Sequence, residues 1–129
     1  MEDRVSDLLI RIKNAYLARK KMIEVPYFKI GEKIAMILFK EGFLKKVEVK
    51  KEGKFKNLVI ELIYQNKNPV LTGVKIISKP GVRVYLKAKQ LKNFSKGFEV
   101  GIVSTSRGLM ADKEAIKKNL GGEVICKIW

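Results

Sequence analysis

Histidine is absent from the 129 residues, and cysteine occurs once. Without histidine the chain lacks the commonest general base, the usual metal-binding imidazole and any Ser-His nucleophile pair. One cysteine makes neither an internal disulfide nor a thiolate metal site. Its place in the run Val124-Ile125-Cys126 reads as a small core residue in reducing surroundings. No Walker loop or GxGxxG occurs, and Gly121-Gly122 is too short a glycine pair to cradle a phosphate. No apolar run approaches the roughly 18 residues of a membrane span. Met1-Glu2-Asp3 is too polar and acidic to open a signal peptide. A Ser-Lys nucleophile at Ser104 or Ser106 is formally compatible with the sequence. The expectation is a soluble, intracellular protein that is not an enzyme and uses no metal or cofactor.

Acidic residues are scarce as well. There are 13 Asp+Glu against 28 Lys+Arg, a formal charge of +15 with a pI near 10.0. Hydrophobic residues make up 47%, enough to build a core rather than a disordered basic tail. Residues 1–66 hold 15 basic and 9 acidic side chains, and residues 67–129 hold 13 and 4. From Glu61 to Glu99 no acid intervenes, while Lys67, Lys75, Lys79, Arg83, Lys87, Lys89, Lys92 and Lys96 do. A foldable chain with this excess calls for a polyanion, nucleic acid first and an anionic membrane second.

Periodicity divides the chain in two. Val5, Leu8, Leu9, Ile12, Ala15 and Tyr16 fall at helical spacing, so residues 4–20 are predicted as a helix. Asp3 is its predicted N-cap, and Arg19-Lys20-Lys21 its cationic end. A strand at 22–26, a helix at 29–41 ended by Gly42, and a hairpin over 43–64 follow. The polar stretch Gln65 to Pro69 is the expected boundary, short enough that the halves pack together. Strands are predicted at 74–78, 82–87, 98–103 and 123–129, with a short helix at 112–119 and a flexible turn at Gly121-Gly122. Residues 88–94 are a short helical turn or a loop. The predicted fold class is α+β, with two small packed subdomains, 1–66 and 67–129. The first is helix-strand-helix-hairpin, and the second is strand-rich with one short helix.

Two features of the second half suit a nucleic acid. Ser104, Thr105, Ser106, Arg107 and Gly108 form an expected loop between a buried strand and the helix. Hydroxyls donate and accept alike, and a guanidinium suits phosphates or base stacking. The same residues also describe a strand-to-helix turn with no partner. On the strand 82–87, Arg83, Tyr85 and Lys87 share a face. An aromatic flanked by cations is a stacking platform for an unpaired base, or else an amphipathic Tyr at a domain interface.

Four stretches carry a resemblance. Ile102 to Met110 is similar to the Ser-Thr-Ser-Lys/Arg-Gly-apolar-Met signature of the bacterial small-subunit ribosomal protein eight. Gly121 to Cys126, Ser78 to Tyr85 and Asp7 to Asn14 resemble its C-terminal strand, central turn and first helix, in the right order. The resemblance implies an rRNA-binding structural constituent of the small ribosomal subunit. Its partner would be the central domain of the rRNA, bound early in assembly of the platform. It implies that Ser104, Thr105 and Ser106 carry RNA contacts, that Tyr85 stacks, and that Gly122 and Glu123 complete the pocket. Arg83, Lys79, Arg107 and Gly108 belong to the same surface. Arg11, Lys13, Asn14 and Lys29 are implied to hold a second RNA segment. Implied protein neighbours are the five and twelve members of the small subunit. A messenger imitating the rRNA site, bound by a translational repressor, and general nucleic-acid binding remain alternatives. The chain departs from the family's pattern at Arg4, Glu99, Ala111 and Lys127. Ala111 stands where a capping Thr or Ser is usual, a loss of about 0.5–2 kcal/mol unless Asp112 substitutes.

Overall fold

A computed structural model describes residues 4–129, so the predicted cap at Asp3 lies outside the described residues. The chain forms two compact units that divide between Thr72 and Gly73. The stretch expected as the boundary is instead a tight hairpin inside the first unit. Tyr64–Gln65 pairs there with Asn68–Pro69, and Asn66 and Lys67 both take positive φ.

The first unit runs α1 (Arg4–Leu17), β1 (Met22–Pro26), α2 (Lys29–Lys40), β2 (Lys46–Glu52), β3 (Phe55–Glu61), β4 (Tyr64–Gln65) and β5 (Asn68–Pro69). Its main sheet is antiparallel in the order β1-β3-β2. Leu8, Leu9, Ile12, Ala15 and Tyr16 are the buried stripe of α1, as their spacing predicts. The helix stops at Leu17 and not at Lys20. The Arg19 N–H reaches the Tyr16 carbonyl and the Lys20 N–H reaches that of Ala15, with Arg19 at φ +59. This is a Schellman ending without its usual glycine, which is why the cations read as a last turn in fact lie beyond the helix. Gly42 closes α2 by the same device, with φ +86 and Phe43 N–H on the Leu38 carbonyl. Tyr16 ties the unit together, donating to the Phe43 carbonyl at 2.5 Å and accepting the Ile63 N–H at 3.0 Å.

The second unit runs β6 (Val74–Ile76), β7 (Tyr85–Leu86), α3 (Ala88–Leu91), β8 (Val100–Thr105), β9 (Gly108–Ala111), α4 (Asp112–Lys117) and β10 (Gly122–Ile128). The sheet order is β6-β10-β8-β9, and β7 also pairs with β10. Thus β6 meets the end of β10 and β7 its start. Leu91, Val103, Met110, Ala115 and Val124 form the core, joined by Val84 and Leu86. Of the strand expected at 82–87 only Tyr85 and Leu86 join the ladder with β10, and Val82 is exposed. Within residues 88–94, Ala88–Leu91 form the short helix α3 and residues 92–94 a turn.

Helix α4 starts without a side-chain cap at Ala111. Asp112 compensates from inside the helix. It is buried, accepts the Lys113 N–H at 2.9 Å and takes a hydrogen bond from Ser95. Glu99 and Lys127, two departures from the family's pattern, answer each other at 3.9 Å. Glu99 also accepts the Lys96 N–H at 2.8 Å, and Lys127 lies 4.9 Å from the centre of the Phe94 ring.

Cys126 is fully buried, and burial pushes its thiol from the ordinary 9.0 up to about 12. The folded thiol therefore keeps its proton where the unfolded one loses it. Its contribution to stability is complete below about pH 9 and is lost as pH rises from there to about 12. Native protein at pH 8 should resist iodoacetamide, while urea-unfolded protein should be alkylated at this one cysteine, as intact mass would record.

Candidate nucleic-acid interface

The hydroxyl-bearing stretch is the tip of a hairpin rather than a link from strand to helix. Ser104 and Thr105 end β8, Gly108 begins β9, and only Ser106 and Arg107 lie in the turn. The strand β9 intervenes before α4, a strand the sequence reading missed. Gly108 takes φ +106, a conformation that excludes most side chains.

The three hydroxyls have different duties. Thr105 Oγ1 donates to the Gly108 carbonyl at 2.8 Å and accepts the Arg107 N–H at 3.1 Å. It shapes the turn, and its donor is already used. No hydrogen bond within the described residues engages the Ser104 or Ser106 hydroxyl. Ser106 and Arg107 are exposed and Ser104 is half-buried. Thr105→Ala should therefore cost about 1 kcal/mol in urea unfolding, while Ser106→Ala should stay within about 0.5 kcal/mol of the parent.

Strand register assembles the surface. Glu123 of β10 pairs with Tyr85 on one side and Ser104 on the other, and Ser104 pairs with Leu109. Residues directly opposite one another in a sheet point to the same face. Val103, Val124 and Met110 face the core, so Tyr85, Glu123, Ser104 and Leu109 form a row on the other side. With one strand between them, Tyr85 and Ser104 stand about 10 Å apart. Tyr85 is 68% exposed.

Backbone contacts fix this row. Ser78, buried to 3% exposure, accepts the Val84 N–H at 3.0 Å, and the Val84 carbonyl accepts the Val124 N–H at 2.9 Å. Tyr85 follows immediately. A lone serine before a Pro-Gly turn gives no sequence signal of this role. Arg83, read as a flanking cation, lies 3.5 Å from the Glu123 carboxylate and orients it. Lys79 stands exposed on a turn closed by its own pairing with Val82, with Gly81 at φ +83, outside the row.

Gly121-Gly122 is not a flexible turn. A Cβ on Gly122 would lie 2.0 Å from the Ser104 carbonyl oxygen, and one on Gly121 2.6 Å from that of Leu86. The pair allows β10 to pass between the strands carrying Ser104 and Tyr85.

The remaining predicted residues lie in the first unit. Arg11 pairs with Asp7 at 3.4 Å on one side of α1. Arg11 and Asn14 line a cleft of about 530 Å³ with Lys20, Met22 and Glu24. Lys13 is half-buried, and Lys29 is exposed at the start of α2. Arg11 and Asn14 thus come together, and Lys29 stands on another helix.

The four acids of the second unit are engaged internally: Glu99 with Lys127, Glu114 with Lys118, Glu123 with Arg83, and Asp112 with Ser95. Lys87, Lys89, Arg107, Lys113 and Lys117 remain exposed. The arrangement offers cations for phosphate, the open Tyr85 ring and two uncommitted hydroxyls. Among the described residues no helix is long and apolar enough to cross a membrane.

Residues 3–129 match the model of a family described as ribosomal protein S8. The chain is similar to several proteins named small ribosomal subunit protein uS8. That of Caldanaerobacter subterraneus subsp. tengcongensis is 52% identical over 130 residues, covering 100% of this chain and 98% of the relative. That of Nostoc punctiforme is 46% identical, covering 98% and 97%. That of Finegoldia magna is 45% identical, covering 100% and 99%.

Proposed function

The chain belongs to the ribosomal protein S8 family, and from that premise we propose that it binds the central domain of the small-subunit rRNA early in platform assembly. It is a structural, non-enzymatic component of the small ribosomal subunit. One observation carries the RNA reading. The row from Tyr85 through Glu123 to Ser104 sets an open ring about two strand spacings from unused hydroxyls. A regular A-form helix hides its base edges in a deep, narrow groove. An irregular one exposes unpaired bases, and these can stack on Tyr85 while Ser104 and Ser106 bond their edges or sugars. The surrounding cations supply salt-sensitive grip through phosphates. Arg11 and Asn14 of the first unit hold a second RNA segment. The five and twelve members of the subunit are the proposed protein neighbours.

Competition at fixed salt tests this reading. An irregular RNA helix should be retained against a hundredfold excess of plain duplex DNA, since specific binding exceeds non-specific by about 10³ or more. Equal displacement by both would mean that charge alone sets affinity and would favour a general nucleic-acid binder.

A further inference from the structure

Alternation along the first unit's three-stranded sheet sends Val25, Leu58 and Ile60 into the core. The register then places Glu24, Glu48, Glu52, Glu61, Lys46 and Lys50 together on the opposite face. Four carboxylates thus meet two ammonium groups, on a chain whose overall charge is +15. Both lysines are spent within the face: Lys46 lies 2.6 Å from Glu48, and Lys50 3.1 Å from Glu52. Glu24, which accepts from the Asn57 amide at 3.0 Å, and Glu61 remain as net negative charge.

The face is also apolar in places. Met22 is 49% and Phe55 75% exposed on it. Neither outer strand of this sheet has a second strand beside it among the described residues. Phosphate is repelled over Glu48, Glu52 and Glu61, so RNA is the wrong occupant there; Met22 and Glu24 stand at the edge of the face, where it borders the cleft of Arg11 and Asn14. Lysine and arginine side chains complement it, and their aliphatic stems suit exposed methionine and phenylalanine.

We propose that this sheet face docks a basic surface of another protein in the assembled small subunit. Lysines or arginines of that protein would meet Glu24, Glu48, Glu52 and Glu61, and its apolar groups would cover Met22 and Phe55. The proposal rests on the chain's place in the subunit and not on which RNA segment it grips. It separates the chain's duties, with phosphate contacts on basic surfaces and protein contact on the acid-rich sheet.

Carboxyl labelling tests it, using a water-soluble carbodiimide and glycine ethyl ester, read by peptide mass spectrometry. Three states are compared: the free full chain, the chain bound to rRNA alone, and the chain in small subunits purified from cells. Glu48 and Glu52 should label equally in the first two states. In subunits their labelling should fall about fivefold, because an interface core excludes reagent and water. Without the added amine, the same carbodiimide should form amide crosslinks from these glutamates to lysines of one other subunit protein. In subunits carrying Glu48→Lys with Glu52→Lys, crosslinks from Glu24 and Glu61 to that protein should be lost, while binding to rRNA alone is unchanged. Undiminished labelling in subunits would overturn the proposal, and so would protection by rRNA alone. A failure of rRNA binding in solution would bear on the RNA reading, whereas labelling in native subunits bears on this one.

Discussion

Gly122→Ala is expected to destabilise the second unit by about 3 kcal/mol or more, among the largest effects of a single added methyl. The cause is space. The new Cβ would sit 2.0 Å from the Ser104 carbonyl oxygen, which belongs to the backbone of a paired strand and has nowhere to go. Strands β8 and β10 would separate where Ser104 is held, so RNA affinity should fall along with stability. Gly53→Ala supplies the contrast. Gly53 has φ +60 but nothing within 4 Å of a Cβ, so its cost is conformational alone, about 1 kcal/mol. Urea unfolding of both variants measures the difference. Equal losses would mean that the strands can part without penalty and that the glycine pair is not what seats Ser104.

Tyr85→Ala is expected to weaken binding of the cognate RNA by about 1–3 kcal/mol, roughly fivefold to 150-fold, as loss of base stacking does. Stability should barely change, because Tyr85 is 68% exposed. Random RNA should be almost unaffected, since phosphate contacts do not use the ring. Lys89→Ala should instead weaken cognate and random RNA alike and reduce the salt slope by about one ion. Titrations of both variants with both RNAs at two salt concentrations separate the contributions. If Tyr85→Ala lowered affinity for both RNAs equally, the stacking role would be lost.

Much of this was legible in the residues before any coordinates. The stripe Leu8, Leu9, Ile12, Ala15, Tyr16 identifies α1 because burial selects helical spacing. The hairpin of β2 and β3 follows from alternation on either side of Gly53-Lys54. Chain ends of helices were harder. Arg19 and Asn119 take the left-handed positions that glycine usually marks, so α1 and α4 stop earlier than their patterns suggest. Strand β9 was hidden because Gly108 to Ala111 is short and abuts α4 directly. The glycine pair misled for a physical reason: a glycine chosen for close approach and one chosen for flexibility look alike in a sequence.

The candidate site was legible as a list of residue types but not as a division of labour. Thr105 reads like its two serine neighbours, yet its hydroxyl is committed to Gly108 and Arg107. Arg83 reads as a phosphate ligand, yet it neutralises Glu123. These assignments depend on cross-strand register, which local patterns do not fix. Glu99 and Lys127 looked like unrelated departures until the sheet brought them within reach of each other.

Crosslinking the full chain to total cellular RNA, then identifying both the captured segment and the attached residue, is the most direct measurement. The expected result is one irregular helix of the small-subunit rRNA central domain, joined through Tyr85 and its neighbours on the hairpin tip. Capture spread over transcripts in proportion to abundance, or attachment that avoids Tyr85, Ser104 and Ser106, would contradict it.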